Sequence, residues 1–323
     1  MADNIIRFTY TGVEIIPREA THIFVDAAFI PARAFLRHPN IVEVICHDGV
    51  ETIEVEAFYC CPSLRRVIMP GVKIIDGEAL SGSAFYGCEA LADVECGKLE
   101  MIGHSAFGDC TSLTSINLPS AKTVSGSAFT RCIALTNATF SNKLERVNHW
   151  AFDECWVLER ITIPLKDGLF TDDNTFQGCD NLRQVDLVEA AELHETVAAL
   201  HLDEWSNDMN EEIDSINQIL HTAPPGNDDY DDYGEKTHAI RRWIRSVLGK
   251  INHYKAEHQR ILDEAATTLQ CTLPHEIATN NVLTFLELPA HTFERANQEM
   301  EEDHWWGARW CSRVIAQKTQ IAY

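Results

Sequence analysis

The residues of this chain that could bind a metal or form disulfides are eleven cysteines, with fourteen histidines scattered among them. Metal sites usually combine CxxC pairs or Cys/His pairs at ligand spacing, and neither pattern occurs in this sequence. Cys60 and Cys61 are adjacent, and a bridge between neighbouring residues is strained. Six cysteines, Cys61 among them, share one spacing, three residues after a phenylalanine: Cys61, Cys88, Cys110, Cys132, Cys155 and Cys179.

Two further patterns approach chemical motifs and fail at one position each. Residues 229–234 begin like a calcium-binding loop, but Ile240 occupies the place of the bidentate glutamate. His253 and His258 flank Glu257 as in a zinc-protease helix, yet five residues separate the histidines by roughly 140° around the helix axis. No phosphate-binding glycine loop and no nucleophile elbow is found. The sequence therefore predicts no enzyme, no metal site and no cofactor.

The phenylalanines that precede the cysteines mark an internal repeat. Successive copies are 22–27 residues apart, in the period range of solenoids, and each has apolar residues six, nine and eleven positions later. Positions nine and eleven differ by two, so both side chains lie on one face of a short strand, which predicts one strand per repeat. Apolar positions three apart in AFxxCxxL favour a turn or two of helix before that strand. The landmarks are Phe35, Phe58, Phe85, Phe107, Phe129, Phe152 and Phe176.

If equivalent segments stack, the six repeated cysteines point in parallel and not toward one another, which is poor geometry for a disulfide. We therefore expect a reduced, buried column in which each small thiol fits under the next coil and donates weakly to a backbone carbonyl. Metal binding and redox chemistry are the alternatives for these residues.

The pattern AFxxCxxLxxIxLP with a period near 23 resembles the leucine-rich repeats of the BspA-like family over residues 13–190. The resemblance implies a right-handed solenoid and a binding role, without specifying a ligand. We expect about eight coils over 13–190. One repeat is longer, and its extra segment DGEALSGS predicts a surface bulge. His38 replaces the cysteine in the first full copy, as expected of an atypical terminal coil.

Composition limits the partners and the compartment. A net charge of −23 argues against nucleic acid or an anionic membrane as the partner. The first twenty residues do not resemble a secretory leader, and no run approaches the roughly 18 apolar residues of a bilayer span. We expect a cytoplasmic protein, with the nucleus as the alternative.

The repeat phase is lost after Leu187, so the expected domains are a solenoid at 1–190, with a cap at about 1–30, and an α-helical region at 191–323. Apolar residues spaced three or four positions apart predict a helix over 191–220. Pro, Gly and acids at 223–237 predict an acidic loop, and a heptad seam predicts a long helix at about 236–270.

The first helix and the acidic loop carry ten acids between 204 and 235, whereas 236–260 carries seven basic residues. Opposite charges favour an antiparallel hairpin of the two helices. The alternatives are a homodimer through 236–270 and a basic helix directed at nucleic acid or membrane. The cluster Trp305, Trp306 and Trp310 is either a packed cap or a protein-docking patch.

The candidate binding surface is the side of the strands that faces away from the core, which repeat proteins use as an extended platform. Its residues are mixed in sign, unlike the acidic remainder, so a polypeptide with charged and hydrogen-bonding groups is the expected ligand. The alternative is a solvated face without a ligand. The candidate residues are Arg65, Arg66, Glu95, Asn117, Thr139, Arg160, Thr162, Arg183 and Asp186, with Arg66, Arg160 and Arg183 as anchors.

Two functions follow from the sequence. The first is a non-enzymatic interaction module that binds a protein or peptide through the strands of the solenoid. The second is a structural scaffold that oligomerises through the long amphipathic helix.

Overall fold

The computed structural model describes residues 5–78, 82–171, 174–188, 203–222 and 235–272, together with Leu193 and Val197. Most of the predicted acidic loop, apart from 235–237, lies outside the described residues. So do most of 191–202 and the tryptophans Trp305, Trp306 and Trp310. The chain divides into two compact units, Met1–Glu189 with Ser215–Ile244, and Ala190–Asp214 with Arg245–Tyr323. The boundary expected at 190 stays a prediction.

The predicted strands of successive repeats pair in parallel with one another, except between Asp93–Glu95 and Ser115–Leu118, and this pairing confirms the solenoid. These strands form two sheets in the described part of the chain, and two of them precede the first landmark Phe35. The five-stranded sheet contains β1 (Arg7–Tyr10), β2 (His22–Val25), β4 (Glu43–Cys46), β6 (Arg66–Ile68) and β10 (Asp93–Glu95). The four-stranded sheet contains β12 (Ser115–Leu118), β14 (Asn137–Phe140), β16 (Arg160–Ile163) and β17 (Gln184–Leu187).

The prediction of one strand per repeat was wrong, because most coils contribute a second strand of two residues. These short strands form a six-stranded parallel sheet on another side of the coil. Each has one buried residue, and two residues are too few to show a period in a sequence. They are β3 (Phe29–Ile30), β5 (Thr52–Ile53), β7 (Ile74–Ile75), β11 (Met101–Ile102), β13 (Thr123–Val124) and β15 (Arg146–Val147).

The segment AFxxCxxL forms consecutive turns and not the predicted helical turn. Around Phe58, for example, Tyr59 N–H donates to Glu56 and Cys61 N–H to Phe58, each across three residues. Glu56 and Cys60, two residues to either side of Phe58, have φ angles of 57° and 53°. This alternation of left-handed and right-handed residues breaks a helix and bends the chain sharply.

The longer repeat ends in a small hairpin. The strands β8 (Gly77–Glu78) and β9 (Gly82–Ser83) pair antiparallel within the segment predicted as a bulge. The second of these strands ends two residues before Phe85.

The phenylalanines stack in one column through the core. The rings of successive landmarks from Phe35 to Phe176 lie 4.7–5.6 Å apart, centroid to centroid, with interplanar angles of 2–20°. Tyr10 closes the column at the amino-terminal end, with its ring edge against Phe35 at 5.1 Å. Offset stacking of this kind adds to the apolar burial of each ring.

The repeated cysteines form the expected reduced column. All six are free thiols and buried. Each thiol donates to the carbonyl of the phenylalanine in the preceding coil, for example Cys61 to Phe35 at 3.0 Å and Cys132 to Phe107 at 3.2 Å. Burial raises the pKa of Cys110 and Cys132 above the ordinary thiol value. The structural interpretation of these residues is confirmed.

Two helices follow the solenoid, α1 (Asp203–Thr222) and α2 (Glu235–Thr272). They run antiparallel, which confirms the predicted hairpin. Lys250 Nζ lies 2.9 Å from Asp208 Oδ1 and 3.0 Å from Glu212 Oε2, and Tyr254 donates to Asp208 at 2.6 Å. The Trp205 and Tyr254 rings stack at 5.1 Å. Neither helix has the length of apolar sequence that a bilayer span requires, as judged over the described residues.

The last coil of the solenoid is closed by side chains of Asn217 on α1 and of Lys236 and Thr237 on α2. In earlier coils the landmark phenylalanine donates its N–H to the next coil, as Phe152 does to Thr175. At the last coil, Phe176 N–H donates instead to the Thr237 hydroxyl at 3.1 Å. Asn217 similarly accepts the N–H of Val185 at 3.0 Å. These side chains take over hydrogen bonds that a further coil would make.

Lys236 completes this closure with its buried ammonium group. Its Nζ donates to the carbonyls of Cys179 at 2.7 Å, Asp180 at 2.6 Å and Leu182 at 3.0 Å. The Lys236 side chain is buried, and this burial lowers its pKa. Three carbonyl acceptors satisfy all three donors of an ammonium ion, which offsets part of the desolvation cost.

Candidate binding face

The candidate surface, called the strand face below, consists of the outward residues of β1, β2, β4, β6, β10, β12, β14, β16 and β17. In most of these strands alternate residues are buried in the core, so the others face outward. Parallel pairing places outward residues of neighbouring strands side by side in two rows. The expected residues Arg66, Glu95, Asn117, Thr139, Arg160, Thr162 and Asp186 all lie in these rows.

The carboxy-terminal half of the strand face is polar. Asn117, Thr139, Thr162 and Asp186 are successive neighbours in one row, so the structure brings these four predicted residues together. Arg160 lies beside them, where its guanidinium donates to Gln184 at 2.7 Å and lies 3.4 Å from Asp186.

The amino-terminal half carries a cluster of charges around Arg66. The guanidinium is 2.9 Å from Asp93 and 3.7 Å from Glu43, and it also forms a very short contact with Glu95. Hydrogen bonding to Glu95 raises the pKa of Arg66 further. Three carboxylates therefore surround one guanidinium, which leaves an excess of negative charge. Arg66 is already paired within the chain, so it is less available for its predicted role as an anchor for a polypeptide ligand.

Arg65 and Arg183 each immediately precede a strand of the face and are exposed. Their backbone N–H groups donate to the preceding coil, Arg65 to Val42 at 2.8 Å and Arg183 to Glu159 at 3.1 Å. They lie at the border of the strand face and not in its rows.

Sequence reasoning missed an apolar row in the amino-terminal half. Phe24, Ile45 and Ile68 are direct neighbours on β2, β4 and β6, and the Phe24 side chain is 41% exposed. Ile45 and Ile68 are partly exposed. Phe24 falls in the segment expected to be a terminal cap, because no landmark phenylalanine and cysteine mark that coil. Its strand does lie one period, 21 residues, before β4, and that spacing could have identified it.

Comparison with known proteins establishes the family. Residues 28–123 and 78–195 match the family described as BspA type Leucine rich repeat region, in six copies, which together span more than half of the chain. The chain belongs to this family. Comparison with curated proteins gives no match.

Among solved structures, the chain is similar to a T. pallidum leucine-rich repeat protein at 31% identity, with a TM-score of 0.41, over 45% of this chain and 69% of that one. A leucine-rich cell surface protein from Faecalibacterium prausnitzii is 24% identical, with a TM-score of 0.40, over 58% of this chain and 52% of that one. A leucine-rich repeat protein from Bacteroides ovatus is 21% identical, with a TM-score of 0.39, over 57% and 54%.

Proposed function

We propose that this protein is a non-enzymatic interaction module that binds a polypeptide through its strand face. Its family consists of repeat proteins, and stacked repeats present extended surfaces of the kind that bind other polypeptides. The observation that carries the proposal is the in-register apolar row of Phe24, Ile45 and Ile68 on an otherwise polar sheet surface. Exposed apolar neighbours of this kind are a feature of protein-binding surfaces.

The polar half of the strand face supports the same function. Asn117, Thr139 and Thr162 offer donors and acceptors at the spacing of adjacent strands, about 4.8 Å. An extended peptide that crosses the strands would meet one such group on each coil. The face thus combines an apolar anchor with a row of hydrogen-bonding groups, as interfaces commonly do.

The test is selection of peptides from a random display library on the full chain, followed by affinity measurements with variants. Phe24→Ser on the apolar half and Arg160→Ala on the polar half should each leave the fold intact, since both side chains are exposed. We expect at least one of these substitutions to weaken the binding of the selected peptides about ten-fold or more.

Phe29→Ser is the matched control. Phe29 is 47% exposed, five residues from Phe24, and belongs to β3 on the other sheet. Its replacement should leave peptide binding unchanged. Recovery of no peptide, or of peptides that bind all variants equally, would reject the strand face as the binding surface.

Oligomerisation through 236–270 remains the second candidate. Most of the apolar residues of the predicted heptad pattern are already buried within one chain, as Ile240, Ile244, Val247 and Ile251 show. Ile261, nearer the end of α2, is 37% exposed. A homodimer would therefore use the later turns of this helix. Sedimentation should then show a concentration-dependent dimer that is lost in the Ile261→Glu variant.

A further inference from the structure

The apolar row has a definite size. Phe24 pairs with Ile45 and Ile45 with Ile68, so the row crosses three strands and is about 10 Å long. Polar residues flank the apolar row: Thr9 on β1 lies beside Phe24, and Glu95 on β10 lies beside Ile68. Polar residues at both ends limit it to the footprint of one or two large side chains, and not of a helix or a membrane surface.

Carboxylates border the Ile45 and Ile68 part of this row on two sides, whereas Arg7 and His22 lie beside Thr9 and Phe24. Glu95 stands at its end, next to Ile68, and Glu43 and Asp93 belong to the neighbouring row with Arg66 between them. The side chains of Asp93 and Glu95 are 54% and 51% exposed, so they are open to solvent beside Arg66. Because both carboxylates are exposed, a cationic group can approach them from the solvent, whereas an anionic group would be repelled by their negative charges.

Resting on the function proposed above, we propose that this half of the strand face binds a basic, apolar segment of a partner polypeptide. A large apolar side chain of the partner covers Phe24, Ile45 and Ile68. A neighbouring Lys or Arg of the partner lies against Asp93 and Glu95. The excess of carboxylates over guanidinium at this site gives the complementarity, and the rest of the acidic chain adds long-range attraction for the same partner.

The first test uses three defined, fluorescently labelled peptides: KKLFKK, KKSSKK and EELFEE. Fluorescence anisotropy with the full chain should show binding of KKLFKK. Binding of KKSSKK should be about ten-fold weaker or more, because it retains the charge and loses the apolar anchor. EELFEE should not bind. Equal binding of KKLFKK and KKSSKK would reveal attraction to net charge alone and overturn the proposal.

Variants place the interaction on the row. Phe24→Ser and Ile68→Thr should each weaken KKLFKK about ten-fold, and Phe29→Ser should not. Circular dichroism and thermal melting check that each variant is folded. If one of the two row variants does not fold, the other still tests the proposal. Glu95→Gln should weaken binding and flatten its dependence on salt. If KKLFKK does not bind, or binds the row variants as well as the parent, the proposal is wrong.

The display selection separates this inference from the broader function. Selected peptides that depend on Phe24 and are rich in Lys or Arg beside an apolar residue support both. Selected peptides that depend on the strand face but are acidic or uncharged leave the interaction module standing and refute the partner proposed here.

Discussion

At the scale of single residues, the buried thiols combine a packing role with chemical inertness. Each of the six fits beneath a neighbouring coil and donates to a phenylalanine carbonyl. The reactive form of cysteine is the thiolate, and burial disfavours it. A group that is both inaccessible and protonated should react only when the coil around it opens.

This gives a prediction for alkylation. With iodoacetamide at pH 8, the cysteines of the column should be modified no faster than the protein unfolds, and all of them should react in guanidinium chloride. Cys60, which is only half-buried, is the internal control and should react earlier. Peptide mass mapping over time measures both. Fast labelling of Cys110 or Cys132 in the folded protein would contradict the buried column.

The charged carboxylate of Asp153 destabilises the folded state, because it is partly buried and incompletely hydrogen-bonded. Its Oδ1 is buried without a hydrogen-bond partner among the described residues, and Oδ2 accepts a hydrogen bond from Thr130 at 3.2 Å. Burial, followed by repulsion from Glu154, raises the pKa of Asp153 from 3.8 to about 6. The folded state therefore holds a proton that the unfolded chain has lost between these two pH values.

The sign of the effect on stability follows directly. Below about pH 3.8 the carboxyl is neutral in both states and costs nothing, and as pH rises through about 6 the folded state loses stability. We predict that Asp153→Asn stabilises the protein at pH 7.5 by about 1–2 kcal/mol, with a smaller gain at pH 4.5. Urea denaturation at both pH values measures this difference.

Asp109→Asn is the matched control for that prediction. Asp109 lies 3.3 Å from Arg131, so its replacement removes an ion pair and should not stabilise the protein. A gain from Asp153→Asn that is the same at both pH values would show that the carboxyl's charge is not the cause.

At the scale of elements, the strand that carries the repeated Val or Ile could be predicted because its buried residues recur at a spacing of two. The turns before it could not. Left-handed backbone is most often signalled by glycine, yet Arg37, Cys60, Asp109 and Arg131 adopt it here. The requirement comes from stacking: each such residue donates its N–H to the next coil, as Cys60 does to Tyr86 at 2.8 Å. A constraint that arises between coils leaves no signal in a single repeat.

The closed end of the solenoid is the element whose removal should have the largest local effect. Lys236→Met keeps the length of the side chain and removes its three donors, so three carbonyls lose a buried partner. We predict a loss of about 2–4 kcal/mol in the free energy of unfolding. Hydrogen exchange should increase first in 174–188, the coil that Lys236 covers.

Lys73→Met provides the comparison for this prediction. Lys73 forms an exposed ion pair with Glu51 at 2.7 Å, and such pairs contribute little to stability. The free energy of unfolding of the Lys73 variant should be close to that of the parent protein. Equal losses in both variants, or exchange that rises uniformly along the chain, would show that Lys236 does not seal the last coil.

At the scale of the whole molecule, the sequence predicted the solenoid and the helical hairpin, because both depend on patterns repeated many times. The candidate strand face was predicted only as a set of positions. The structure shows that Arg66 is surrounded by Glu43, Asp93 and Glu95, which reduces its availability to a ligand. Pairing across coils joins residues about 20–30 apart in sequence, and rotamer choice decides it. The apolar row escaped prediction for a similar reason, since Phe24 becomes adjacent to Ile45 only through strand register.

The closed carboxy-terminal edge also constrains how this chain could have grown. A repeat copied between two existing coils inherits backbone partners on both sides, and nothing else in the molecule has to change. A repeat added after Leu187 would meet Thr237, Lys236 and Asn217 where it needs an open strand. Gene duplication could thus lengthen this array from within, while the helical segment that terminates it stays attached to the final coil.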